Sequence, residues 1–183
     1  GETATAVEAD ISDPADANHL VERAVAAYGS LDIMVNNAGI TIVKPVMEMD
    51  PKEWQDVIDV NLSGVFYSAQ AAGRQMIEQG TGGQIINISS MFGTVGVQGR
   101  APYNASKGGV NALTRNFAVE LAEHDICVNA MAPGYIETEL TKGVSEGEDR
   151  ETTLDEDEWP YHSFDDAHIE NRTPIGRFGT PET

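Results

Sequence analysis

Three short apolar runs, LDIMV (31–35), QIINIS (84–89) and ICVNAMA (126–132), are separated by stretches of helix length. Runs this short, flanked by turn residues, read as strands. Strands joined through a helix return to the sheet in the same direction. The chain is therefore expected to fold as an α/β domain built on a parallel sheet. LDIMV, with no polar alternation beyond Asp32, is expected to be buried on both faces.

The intervening stretches carry helix punctuation. In DPADANHLVERAVAAYG, Asp13 is placed to cap, Pro14 occupies the first turn and Gly29 ends the helix. Residues 50–80 read as one long helix between an Asp50 cap and Gly80, and residues 102–124 as the next. TATAVEAD (3–10) reads as a further short strand. With 183 residues and 40% hydrophobic content, residues 1–183 suffice for a single domain with one core.

Charge narrows the partners. Thirty acidic residues against eleven basic ones leave a net charge of -19. Such a surface gains nothing from nucleic acid or an anionic membrane, and it suits a salt-rich, halophilic cytoplasm. The one cysteine, Cys127, permits no internal disulfide, which agrees with a reducing cytoplasm, and no apolar run is long enough to span a bilayer. Residues 146–158, EGEDRETTLDEDE, hold eight carboxylates and are followed by WPYHSF. Their spacing fits no calcium loop and no histidine cluster supports them, so no metal site is expected and the segment reads as a solvated loop with an aromatic anchor.

A parallel sheet binds ligands beyond the carboxyl ends of its strands. Three such ends carry small or polar residues: NNAG (36–39), SSMFG (89–93) and PGYIET (133–138). Tyr103 and Lys107, four apart at the start of the helix after SSMFG, share one helix face. A positive charge held beside a phenol favours its ionised form, which is what a tyrosine needs to act as a general acid or base. Ser90 is suited to hydrogen-bond a reacting oxygen.

In this order, NNAG, NIS leading into Ser90, Tyr-x-x-x-Lys and PG, the chain resembles the short-chain dehydrogenase/reductase family over nearly its whole length, apart from residues 143–170. The resemblance implies a Rossmann-like sheet with helices on both faces. It implies a catalytic set of Asn61, Ser90, Tyr103 and Lys107, with Asn61 kinking its helix and holding a water in a relay to the lysine. Asp10 would bond adenine, although a strand-end turn cap explains it equally. Asn37, Ala38 and Gly39 would lie beside the adenosine, Lys107 with Tyr103 on the nicotinamide ribose, and Pro133, Gly134, Ile136 and Thr138 along the nicotinamide.

The cofactor implied is NAD or NADP, and the reaction is hydride transfer between a carbonyl and an alcohol. Sugar, polyol or sugar-acid substrates are favoured, with 3-oxoacyl thioesters as the alternative. The family's opening strand, glycine-rich turn and second strand, and its last strand, are expected to lie outside this sequence. The complete protein is expected to be a homo-oligomer, and residues 143–170 to be an acidic substrate-loop insert in which 146–158, with Trp159, Tyr161 and Phe164, serve as a lid on the substrate. A non-catalytic scaffold would be a reading of another class, and Ser90, Tyr103 and Lys107 together speak against it. A sugar-nucleotide epimerase shares Tyr-x-x-x-Lys, but NNAG argues against that assignment.

Overall fold

The computed structural model describes residues 4–136. The chain divides into two units, Gly1–Ala132 and Pro133–Thr183, and only Pro133–Ile136 of the second are among the described residues. The acidic segment 143–170 and Thr138 lie outside them.

The first unit opens with an irregular stretch and then helix α1 (Pro14–Tyr28). The Asp13 side chain accepts from the Ala15 N–H, Pro14 fills the first turn, and Gly29 closes the helix at φ 89°, a left-handed conformation that glycine adopts without cost. Strands β1 (Ile33–Asn36), β2 (Gly83–Ile88) and β3 (Ile126–Met131) form a parallel sheet in the order β1-β2-β3, with Ile33 opposite Gln84 and Ile85 opposite Val128. Helices α2 (Pro51–Ile58) and α3 (Gly64–Gln79) connect β1 to β2, and α4 (Ala101–Leu121) connects β2 to β3.

Both connections advance across the sheet in the same direction. Right-handed crossovers therefore put α3 and α4 on one face. That face holds the core: Met34, Ile85, Ile126 and Val128 from the strands, packed with Val21, Ala69, Ala72 and Met76. Along β1 the pattern alternates strictly, and Ile33 and Val35 remain 58% and 51% exposed. The expectation that LDIMV is buried on both faces is corrected accordingly. Among the described residues only one face of the sheet is covered.

Two further expectations are revised. Residues 4–10 form no strand, because a strand exists only in a ladder and none of the described residues supplies a partner for them. They run as an exposed segment tied to α1, where Thr5 Oγ1 accepts from the Tyr28 hydroxyl at 3.0 Å. The long helix expected over 50–80 is interrupted by a single π turn, Asp59–Ser63, between α2 and α3. Just beyond it Gly64 packs on Ile11, where an added Cβ would stand 2.9 Å from Ile11 Cγ2 and 3.0 Å from its carbonyl oxygen. Among the described residues no helix is long and apolar enough to cross a membrane.

A buried polar chain ties the layers together. The Asn36 amide donates to Asn87 Oδ1 at 2.8 Å, Asn87 Nδ2 donates to Thr114 Oγ1 at 2.9 Å, and the Thr114 hydroxyl donates to the Val110 carbonyl at 2.7 Å. The chain thus runs from β1 through β2 to α4, and each of its three side chains is more than nine-tenths buried. Asn87→Ala strands the Asn36 amide away from water. It is expected to lower the unfolding free energy by about 2–4 kcal/mol, read from the urea midpoint. A loss below about 0.5 kcal/mol would show that the chain adds nothing to the sheet.

Candidate functional site

The carboxyl end of the sheet brings four of the expected side chains into one region. Lys107, in the second turn of α4, is 3% exposed, and its ammonium donates to the Ile88 carbonyl at the end of β2 at 2.7 Å. The same ammonium lies 5.6 Å from the centroid of the Tyr103 ring, within the reach of a cation–π contact. The i,i+4 spacing therefore places the pair on one face, as expected.

Asn61 occupies the middle of the π turn and is fully buried. It exchanges two hydrogen bonds with one backbone unit: the Ile40 N–H donates to its Oδ1 at 2.8 Å, and its Nδ2 donates to the Ile40 carbonyl at 2.9 Å. Its amide also donates to Ser106 Oγ at 3.3 Å, and the Ser106 hydroxyl donates to the Tyr103 carbonyl at 2.7 Å. The loop after β1 is thereby joined to the turn that carries Tyr103. A widened turn is what lets Asn61 face that loop while α2 and α3 continue on either side.

Gly39 completes this wall. An added Cβ would lie 3.4 Å from Asn61 Oδ1 and 3.7 Å from Lys107 Nζ, so a bare backbone stands in front of the lysine. Asn37, Ala38 and Gly39 are exposed at the strand end. Asn37 and Ala38 also line a cavity of about 230 Å³ with Ile11, Val60 and Gly64.

Ser90, 7% exposed, caps a 3₁₀ turn, Met91–Gly93, in which the Phe92 N–H donates to Ser90 Oγ at 3.2 Å. With its oxygen accepting from the backbone, its hydroxyl hydrogen remains available to a ligand oxygen.

Asp10 sits where the turn-cap reading puts it. Its Oδ1 accepts from the Ser12 N–H at 2.9 Å and from the Ser12 hydroxyl at 2.6 Å, and these bonds hold its carboxyl below the usual range. Pro133, Gly134 and Ile136 belong to the second unit and have no regular secondary structure beyond an isolated bridge at Ile136. Among the described residues no group of three or more His, Cys, Asp or Glu is placed to hold a metal ion. Ser106 is a residue of this site that sequence reasoning missed. Its only signal was a position three residues after Tyr103, where a hydroxyl can turn back to the helix carbonyls.

A family model described as short chain dehydrogenase matches residues 1–149. The chain belongs to the short chain dehydrogenase family. It is 41% identical over 174 residues to 2-dehydro-3-deoxy-D-gluconate 5-dehydrogenase of Dickeya dadantii, covering 95% of this chain and 63% of that protein. It is 46% identical over 141 residues to 3-oxoacyl-(acyl-carrier-protein) reductase of Staphylococcus aureus, covering 77% and 57%. A crystal structure of gluconate 5-dehydrogenase from Burkholderia cenocepacia, in complex with NADP and tartrate, superposes with a TM-score of 0.79 at 36% identity over 93% of this chain and 61% of that one. This member of the short chain dehydrogenases thus spans about three-fifths of the length of the relatives it matches.

Burial alone pushes the Lys107 ammonium down from 10.5 to about 8. The unfolded chain therefore binds the proton more tightly than the folded one. The destabilisation this causes is fully present below pH 8 and fades as pH rises toward the unfolded value. Relative to Lys107→Met, the parent should gain about 3 kcal/mol of stability between about pH 8 and pH 10.5, measured by urea unfolding at each pH. A difference that stays flat across that window would place the ammonium in water.

Proposed function

We propose that this chain carries the reacting centre of an NAD(P)-dependent oxidoreductase that interconverts a carbonyl and an alcohol. The observation that carries the reading is the buried Lys107 ammonium, which faces the Tyr103 ring and stands behind Gly39 and Asn61. With the buried ammonium beside its ring, Tyr103 is suited to give a proton to, or take one from, the substrate oxygen. Ser90, its oxygen engaged by Phe92, donates its hydroxyl hydrogen to that same oxygen and orients it. Asn61 fixes the loop in front of the lysine through Ile40.

The residues present fit a nicotinamide dinucleotide. Gly39 leaves open backbone before Lys107, and the exposed Asp10, Asn37 and Ala38 suit the adenosine half. When bound, the dinucleotide supplies or accepts the hydride. Lys107 would hold its ribose, and Pro133, Gly134, Ile136 and Thr138 would line the nicotinamide. Choice between NAD and NADP is left to titration.

For the substrate we favour a sugar acid, the class named in 2-dehydro-3-deoxy-D-gluconate 5-dehydrogenase of Dickeya dadantii and gluconate 5-dehydrogenase of Burkholderia cenocepacia. A 3-oxoacyl reductase of Thermotoga maritima matches a comparable share, 94% of the chain at 41% identity. A 3-oxoacyl thioester is the second reading, favoured by the 46% identity to the Staphylococcus aureus reductase. In this account residues 1–183 act as one dinucleotide-binding and catalytic domain, with 143–170 as its acidic substrate-loop insert. Assembly into a homo-oligomer is supported by a shallow groove lined by Leu62, Phe66, Tyr67, Gly109 and Leu113, of which Phe66 is exposed and the others are half-buried. The net charge of -19 and the exposed Cys127 suit a reducing, salt-rich cytoplasm and exclude nucleic acid as a partner.

In the protein that carries this chain, Tyr103→Phe should lower turnover at least a thousandfold while cofactor affinity changes less than threefold. The measurement pairs NAD and NADP with gluconate, 2-dehydro-3-deoxy-D-gluconate and acetoacetyl thioester, with calorimetry for the cofactor. Turnover within tenfold of the parent defeats the reading, and activity confined to the thioester selects the second substrate class.

A further inference from the structure

The loop that carries Ser90 is fastened to α4 at three places, none of them Ser90 itself. The Ser89 hydroxyl donates to the Lys107 carbonyl at 3.2 Å. Asn111 Nδ2 donates to the Gly93 carbonyl at 3.5 Å, and Asn104 Nδ2 donates to the Val95 carbonyl at 2.9 Å. Gly93 lies against the helix backbone between these ties. A Cβ there would stand 2.8 Å from the Lys107 carbonyl oxygen and 2.9 Å from its carbon, so any side chain drives the 3₁₀ turn off α4.

Asn104 is the unusual member. Its Oδ1 is buried without a hydrogen-bond partner, while its amide holds Val95. An orphaned amide oxygen works against stability, so a leucine of similar volume would suit the folded state better. What the asparagine provides is a donor aimed at the loop, one residue along the helix from Tyr103. Ser90 Oγ is oriented by the 3₁₀ turn, and the turn is located by Gly93 on one side and Val95 on the other.

We infer that Asn104, acting with Gly93, is a positioning residue that fixes Ser90 in register with Tyr103 and Lys107. The inference rests on the reading of those three residues as the reacting centre. It assigns Asn104 no contact with substrate or cofactor, only control over where the Ser90 hydroxyl stands.

The test uses Asn104→Leu in the protein that carries this chain, with Asn104→Ala as a second variant in case leucine is not accommodated. Expected are a kcat at least tenfold lower, a cofactor KM within twofold of the parent, and a melting temperature that does not fall. Amide hydrogen exchange over residues 91–96 should quicken while β2 stays protected. In the double variant with Ser90→Ala, kcat should fall no further than in Ser90→Ala alone, because the donor's place is already lost.

A kcat within twofold of the parent, losses that multiply in the double variant, or unchanged exchange over 91–96 overturns the assignment. Tyr103→Phe separates the two levels of the argument. If it is inactive while Asn104→Leu is fully active, the positioning role alone fails. If Tyr103→Phe itself turns over, the reading of the reacting centre fails and takes the positioning role with it.

Discussion

A charged lysine with 3% of its surface in water is the constraint to which the surrounding structure answers. An ammonium so placed must find acceptors in the protein, and in this structure the Ile88 carbonyl at the end of β2 receives it at 2.7 Å. That one bond requires α4 to lie with its second turn over the end of β2. The approach is possible because the loop between them meets the helix at Gly93, which has no Cβ to hold the two backbones apart. It also requires something to stand over the lysine on the remaining side, and the loop after β1 does so, held by Asn61 at Ile40. The balance remains unfavourable to the charge, which is why burial lowers its proton affinity to about 8.

The order of the elements and most of their punctuation could be read from residues alone, because those signals are local. Asp13, Pro14 and Gly29 act through neighbours a few positions away, and the structure places each in the role its chemistry suggests. The parallel sheet followed from spacing. What escaped was tertiary in origin. The π turn at Asp59–Ser63 has no local signature in DVNLS, and an irregularity at Asn61 was legible only through the family resemblance. It is defined by Asn61 reaching Ile40, 21 residues earlier. Residues 4–10 have the composition of a strand, but composition cannot supply the ladder partner that makes one. LDIMV carries the sequence of a strand covered twice, yet the described helices cover one face. Ile33, Val35 and Met131 remain more than half exposed on the other.

The candidate site divides along the same line. Tyr103 and Lys107 were readable as a pair because helical spacing alone puts them on one face, and the ring and ammonium do meet. Ser90 could be singled out from its place after the second strand, ahead of the Tyr103 helix, whereas Asn61 could be selected only through the family resemblance. Ser106 and Asn104 escaped because their partners, Asn61 and Val95, are brought to them by folding. Gly39 was expected beside the adenosine through the family resemblance, but its closeness to Lys107 is a distance across three elements that the sequence does not display.

These long-range contacts share a design that bears on chemistry. Asn61 spends its amide and its carbonyl on the two backbone groups of one residue, Ile40, so the segment in front of the lysine is gripped on both sides of that Cα. Its amide also reaches Ser106, whose hydroxyl bonds the Tyr103 carbonyl, and the grip is thus carried into the turn that holds the phenol. Each link is a neutral hydrogen bond that is buried or partly buried, and breaking the Asn61–Ser106 bond leaves a polar group without water. A proton-transfer pair needs its separation held more closely than exposed side chains allow. Here the backbone around it is clamped, and the phenol and ammonium inherit their places from that backbone.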